Sequence, residues 1–301
     1  MSYCNEMVRL QKACKEKSPL CIGLDTAASY LPESVISGFK SPEEAVFAYN
    51  KGIIEEAGKY AGCFKVQIAY YEAQGLAGLK VYADTLKAVR NSGISVISDI
   101  KRGDIADTAK AYARAHFSGD FETDIITINP YMGFDTLEPF FEYAEKEGKG
   151  AFVLLRTSNP GMTDIEKLEL KDGGFVLDRV GQQLQKIAER FDYLSPFGAV
   201  VGCTEESDAR QLRDKYDNIF FLIPGYGAQG GAARVAATLL DRAGGTVNSS
   251  RGILCAWKKS DALAEKREAG TLTLDDIVFA AADAAKASAE DLKSAFASLK
   301  A

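Results

Sequence analysis

The feature that most constrains this chain is an alternation of short apolar runs with longer amphipathic stretches, sustained from residue 20 to residue 250. The strand-like runs are Leu20–Asp25, Cys63–Ile68, Ile94–Asp99, Asp124–Asn129, Ala151–Arg156, Phe197–Gly202, Ile219–Pro224 and Thr246–Ser250. Several are apolar at consecutive positions, as parallel strands covered on both faces must be. Helical periodicity fills the intervals, near Leu76–Asn91, Ile105–His116, Leu137–Lys146, Phe175–Arg190, Glu205–Tyr216 and Gln229–Arg242. Ser41, Pro42 and Glu44 make a capping-box start for a helix running to about Lys59. After the eighth run, Thr273–Lys300 is Ala-rich and helical in period. Eight strand–helix units in roughly 250 residues predict an α/β fold of the (β/α)8 TIM-barrel type. A doubly wound open sheet is the competitor, since the same alternation feeds it. No linker or composition break divides the sequence, so residues 1–301 are expected to form one barrel domain with extra C-terminal helices.

A barrel places function where its strands end. The polar residues there are Asp25, Lys65, Asp99, Lys101, Asn129, Arg156 and Arg251. Composition narrows their chemistry. His116 is the only histidine, which removes His-rich zinc sites and the H-E-x-x-H motif. It lies on an expected helix beside Phe117 and reads as a packing or capping residue. Six cysteines (Cys4, Cys14, Cys21, Cys63, Cys203, Cys255) form no C-x-x-C pair, a pattern of free thiols in a reducing compartment. With 36 Lys+Arg against 42 Asp+Glu the net charge is −6, which argues against nucleic acid as a partner. Met1–Lys17 is polar and mixed in charge, so no secretory signal is expected there. No apolar run approaches the roughly 18 residues of a membrane span. The expectation is a soluble, cytoplasmic protein with no membrane partner, whose phosphate site, if it has one, is a local cationic pocket.

The densest chemical signal is Ser98–Thr108, directly after the apolar Ile94–Ile97. Side chains alternate along a strand with period two, so Asp99 and Lys101 are expected on one face with Ile100 on the other. Asp104 then falls in the loop or the first helical turn. Taken alone, the segment could be a solvated strand end with an ordinary ion pair. Lys65, inside the neighbouring expected strand, weighs against that reading, because a lysine in a barrel strand is costly to bury unless it meets carboxylates. Asp99 is the obvious neighbour. Lys65, Asp99, Lys101 and Asp104 sum to zero charge, an arrangement that keeps all four ionised in a water-poor pocket.

A second signal is the glycine-rich segment Pro224–Gly231, which follows an expected strand and opens a helix. Backbone N–H groups in such a loop can cradle a phosphate at a helix N-terminus. Arg251 follows the eighth strand, and the loops after strands seven and eight are the usual phosphate site of a barrel. Gly225, Gly227 and Gly230 also match G-x-G-x-x-G, which keeps an NADP-dependent oxidoreductase open as an alternative. Against it, no acidic residue closes the next strand and little chain remains for the rest of a dinucleotide-binding domain.

The pattern D-x-K-x-x-D-I-x-x-T (Asp99, Lys101, Asp104, Ile105, Thr108), with Lys65 one strand earlier, resembles the orotidine 5′-phosphate decarboxylase family. Arg156–Gly161 and Asn248–Gly252 resemble its longer (type 2) subfamily found in many bacteria. The resemblance runs from Asp25 to about Gly252, with two departures. Ala106 stands where the family usually has glycine or proline, and Ser250 where the shorter branch has glycine. The resemblance implies metal- and cofactor-free decarboxylation of orotidine 5′-monophosphate to uridine 5′-monophosphate, the last step of de novo pyrimidine nucleotide synthesis. It implies that Lys101 is the general acid protonating C6, that Asp99 sits beside the departing carboxylate, and that Lys65 and Asp104 hold the array. It further implies a homodimer with shared sites, in which Asp104 and Thr108 reach into the neighbour's pocket and Thr108 contacts the ribose. Asp25 is implied as a ribose contact, Ser158 as the reader of the pyrimidine edge, and Gln229 and Arg251 as the phosphate grip. Magnesium-dependent sugar-phosphate decarboxylases and synthases of the same superfamily share D-x-K-x-x-D but carry a glutamate at the Lys65 position. A catalytically silent nucleotide-binding barrel is the remaining alternative.

Overall fold

The computed structural model describes residues 5–203, 205–226 and 232–299. Its strands are β1 (Leu20–Gly23), β2 (Cys63–Gln67), β3 (Ser95–Arg102), β4 (Ile125–Ile128), β5 (Gly150–Arg156), β6 (Phe197–Val201), β7 (Phe221–Ile223) and β8 (Gly245–Ser249). Neighbours in sequence pair in parallel, and β1 also pairs with β8, Cys21 lying opposite Asn248. The sheet is therefore a closed barrel in the order β1 to β8. Closure excludes the doubly wound open sheet, and every expected run overlaps one strand, though β3 runs three residues past its expected end, to Arg102.

Helices Pro42–Ala57, Gly75–Asn91, Ala106–Phe117, Glu138–Glu147, Val176–Ala188, Glu206–Lys215 and Ala232–Leu239 separate the strands. Ser41 caps the first of these as its sequence predicts, its side chain accepting from the Glu44 N–H at 3.3 Å. The C-terminal helix Leu274–Ser298 starts at a capping box of Thr273 and Asp276 and lies along Pro42–Ala57. His116 is buried, and its ring stacks on Phe121. Burial, and after it the charge of Arg102, pushes its pKa down to about 4, as suits a neutral packing residue.

The barrel interior is layered. Cys21, Cys63, Ile97, Ile125, Phe152, Val200 and Leu222 form a lower apolar layer. Beneath it lies the helix Glu6–Glu16, whose Met7 and Leu10 are fully buried against that layer. Each contributes on the order of 1.5–3 kcal/mol by leaving water. Its N-cap Asn5 accepts from Val8 N–H at 2.8 Å and donates to the Leu194 carbonyl at 3.0 Å, fixing the helix as a floor plug. Two residues further along several strands the inward positions turn polar: Lys65 after Cys63, Asp99 after Ile97, Thr127 after Ile125. That step of two residues sets the base of the candidate site.

Candidate active site

Lys65 on β2 points up the barrel axis with its side chain only 6% exposed. Its Nζ donates to Asp25 Oδ1 at 3.0 Å and to Asp99 Oδ2 at 3.2 Å. Burial alone would lower the Lys65 pKa, but Asp99 and Asp25 together outweigh it and hold the ammonium above its ordinary range. Asp99 shows the mirror image. Burial would raise its carboxyl, yet Lys65 first and Lys101 second bring it down to about 2. Lys101 Nζ donates to Asp99 Oδ1 at 2.6 Å while 45% of its side chain stays open to the barrel mouth. The result is a row of alternating sign, Asp25–Lys65–Asp99–Lys101, with one ammonium reaching toward incoming ligand.

Lys101 reaches Asp99 by a different route from simple alternation. The ladder between β3 and β4 shifts after Ser98: Ser98 lies opposite Ile126, but Arg102 lies opposite Ile128. Two extra residues of β3 bulge there, and Lys101 takes a left-handed backbone with φ 46°. For a residue with a Cβ that conformation costs about 1–2 kcal/mol. Period-two reasoning therefore names the right pair while missing the distortion that brings them together.

Asp25 lies just beyond β1 and is held from its other side. Ser250 Oγ donates to Asp25 Oδ2 at 2.7 Å, and Asn248 Nδ2 donates to Ser250 Oγ at 3.1 Å. A Cβ on Gly23 would sit 2.0 Å from Ser250 Oγ, so this bond needs glycine at that point of β1. Arg251 follows immediately, an exposed residue opening the short helix Arg251–Leu254. Gln229, with Gly227, Gly230 and Gly231, lies outside the described residues. Gly225 is described, in a left-handed conformation with φ 89°.

The remaining sequence candidates stand apart from the row. Asp104 accepts from the Ile105 N–H at 2.8 Å and makes no ion pair among the described residues. The negative charge that completes the row within this chain is Asp25. Thr108 is exposed near the start of Ala106–Phe117. Ala106 has φ 47°, a left-handed backbone that glycine would adopt without strain and proline could not. Ser158 is exposed at the base of a long loop after β5, next to Gly202, where an added Cβ would come within 3.1 Å of Ser158 Cβ. Glu166 pins that loop, accepting from Thr157 N–H at 3.0 Å and Thr157 Oγ1 at 2.7 Å. Arg156 is a clasp, donating to the carbonyls of Thr157 and Gly202 and to Asp208 Oδ2 at 3.0 Å. Two residues were not singled out in the sequence: Thr127, beside Asp99, and Glu166, in the loop after β5. The inward alternation Ile125–Thr127–Asn129 could have flagged the first.

A closed parallel barrel with alternating lysines and aspartates at the C-terminal mouth defines a TIM-barrel enzyme whose tools are fixed charges. Among the described residues, no three His, Cys, Asp or Glu side chains are grouped to hold a metal ion. The chain belongs to the orotidine 5′-phosphate decarboxylase / HUMPS family, whose model matches residues 18–265. An orotidine 5′-phosphate decarboxylase of Clostridium botulinum (strain Loch Maree / Type A3) is 51% identical over 258 residues, covering 84% of this chain and 90% of the relative. One from Clostridium perfringens (strain SM101 / Type A) is 51% identical over 254 residues, covering 83% and 88%. A crystal structure of a putative orotidine 5′-phosphate decarboxylase from Streptomyces avermitilis ma-4680 superposes with TM-score 0.79 at 30% identity, covering 99% of this chain and 98% of that one. Neither the magnesium-dependent nor the NADP-dependent alternative is supported by these relatives, and a closed barrel does not provide the open-sheet crevice of a dinucleotide fold.

Proposed function

We propose that the chain decarboxylates orotidine 5′-monophosphate to uridine 5′-monophosphate, as its relatives' names state for them, with Lys101 as general acid. The observation that carries this reading is the doubly paired Asp99, held ionised between Lys65 and Lys101 at 3.2 and 2.6 Å. In the reaction the bond between pyrimidine C6 and the carboxylate carbon breaks, CO2 leaves, and the electron pair stays on C6. The Lys101 ammonium gives its proton to that carbon, and the neutral amine regains one from solvent. Leaving an sp2 carbanion with no adjacent sink is costly, so acceleration must approach the upper end of the roughly 8–23 kcal/mol typical of enzymes. A preorganised ammonium aimed at the developing charge acts at the point where stabilisation is needed. Asp99 holds Lys101 there and lies where the substrate carboxylate would enter. No step requires a metal or organic cofactor.

The nucleotide's other contacts follow the same reading. Asp25, with Ser250 behind it, would accept from a ribose hydroxyl. Ser158 would meet the pyrimidine edge, and Arg251 with Gln229 the 5′-phosphate. A homodimer completes the pocket: Asp104 and Thr108, unpaired with the row in their own chain, would extend into the partner's site. Support comes from the apolar side chains exposed near that rim, Leu76 (87%), Ile105 (58%), Tyr131 (79%) and Met132 (52%), since such patches mark contact surfaces. The cytoplasm, as the reducing compartment, suits the five free cysteines among the described residues.

The deciding experiment follows the ultraviolet absorbance of orotidine 5′-monophosphate with purified protein in excess EDTA. The spectrum should convert to that of uridine 5′-monophosphate at a rate unchanged by chelation. Activity that vanished in EDTA and returned with Mg2+ would overturn the metal-free reading.

A further inference from the structure

We propose that Thr127 is a positioning residue of this site: its hydroxyl fixes the Asp99 carboxylate and the backbone of Lys101 at once. The inference rests on the roles assigned above to Asp99 and Lys101. Thr127 lies on β4 opposite the bulge and is 1% exposed. The bulge takes Ile100 N–H and Lys101 N–H away from the β4 ladder. Both donate instead to Thr127 Oγ1, each at 3.0 Å. The hydroxyl donates in turn to Asp99 Oδ1 at 2.8 Å, the same oxygen that receives Lys101 Nζ.

A threonine hydroxyl has one proton and two lone pairs. Here both lone pairs are taken by backbone N–H groups, so the proton has one place to go, toward Asp99. That arrangement has two consequences. Asp99 must act as an acceptor at Oδ1, which favours its ionised form. The left-handed turn at Lys101 also gains two hydrogen bonds that offset its conformational cost. One side chain thereby sets both the direction in which the lysine leaves the backbone and the carboxylate that holds its ammonium. Valine has the same shape and β preference but offers neither donor nor acceptor.

The test compares wild type, Thr127→Val and Thr127→Ser in the full chain, with orotidine 5′-monophosphate as substrate. Leaving buried amides unpaired and freeing Asp99 should lower kcat of the Val variant about 10- to 100-fold. KM should move by less than about threefold, because the buried hydroxyl is taken up by Ile100, Lys101 and Asp99 and only the reacting groups are displaced. The acidic limb of the kcat profile should move to higher pH, since Asp99 loses a donor while Lys65 from β2 and Lys101 from β3 remain as its facing charges. Serine keeps the hydroxyl and should restore kcat to within about threefold of wild type. If the Val variant does not fold, Thr127→Cys, similar in size with a weak donor, takes its place with the same expectations. A Val or Cys variant with kcat within about threefold of wild type, or losses that serine does not recover, overturns the inference. An inactive wild type overturns the assigned reaction and this inference with it. An active wild type with an unaffected variant overturns this inference alone.

Discussion

Replacing Lys65 by methionine tests the electrostatic design of the site. At 3.0 and 3.2 Å from Asp25 and Asp99, the ammonium gains about 5 kcal/mol of attraction from each at an effective dielectric near 20, before its own desolvation is subtracted. Removing one partner from a buried ion pair costs on the order of 3–5 kcal/mol, because the other charge is left uncompensated. The pH dependence separates this from a simple packing defect. In the wild type, the Asp99 pKa is lowered from 3.8 to about 2. A depressed folded-state pKa contributes stability that is fully present above 3.8 and lost as pH falls toward 2, about 2 kcal/mol in all. Without Lys65, burial dominates and the Asp99 pKa should rise above 3.8. The group then contributes in the opposite sense: stability is fully present below 3.8 and lost as pH climbs through the raised pKa. The stability gap between wild type and Lys65→Met should therefore widen from about pH 4.5 to about pH 7, reaching about 3–5 kcal/mol. Urea unfolding followed by Trp257, the only tryptophan and a largely buried one, measures it directly. A gap below about 1 kcal/mol at pH 7, or one equal at both pH values, would refute the reasoning.

The shared-site reading predicts complementation: mixing inactive Asp104→Ala with inactive Lys101→Ala should restore part of the activity, because a hybrid dimer regenerates one intact pocket. No recovery after demonstrated subunit exchange would count against it. The phosphate assignment predicts that Arg251→Ala lowers kcat/KM for orotidine 5′-monophosphate by roughly 2–5 kcal/mol, the scale for unpairing a buried charged contact. Against orotidine, which lacks the phosphate, the same substitution should matter little; equal losses on both substrates would make Arg251 structural.

The barrel was legible because parallel strands covered on both faces leave apolar runs too short for helices, and eight of them fill the chain. The floor helix Glu6–Glu16 was not. Its inward contact rests on Met7 and Leu10 among many charges, too few apolar positions to stand out in a polar terminus. Asp99 and Lys101 were legible as a pair from their spacing, but the left-handed turn at Lys101 was hidden, since alternation assumes an unbroken ladder. Thr127 was legible only in part: alternation along Ile125–Thr127–Asn129 sets it inward, but a threonine there reads as an ordinary β-former until the bulge opposite is known.

Asp25 shows where reading along the chain reaches its limit. It is 40 residues from Lys65 and 225 from Ser250, yet it bonds to both, because barrel closure sets β1 between β2 and β8. The local pattern pointed to Asp104 as the balancing charge, being near Lys101 in sequence. Proximity in a barrel is decided by strand order and inward register, which make Asp25 the balancing charge inside the chain. Asp104 is left half-buried in a loop, with no ion pair among the described residues. Hence the row can be neutral without Asp104, and the proposed shared site gives that residue its role in the partner's pocket. The hybrid-dimer experiment is aimed at that residue for this reason: the row within one chain is already balanced by Asp25, so under the proposed shared site Asp104 would serve the partner's pocket.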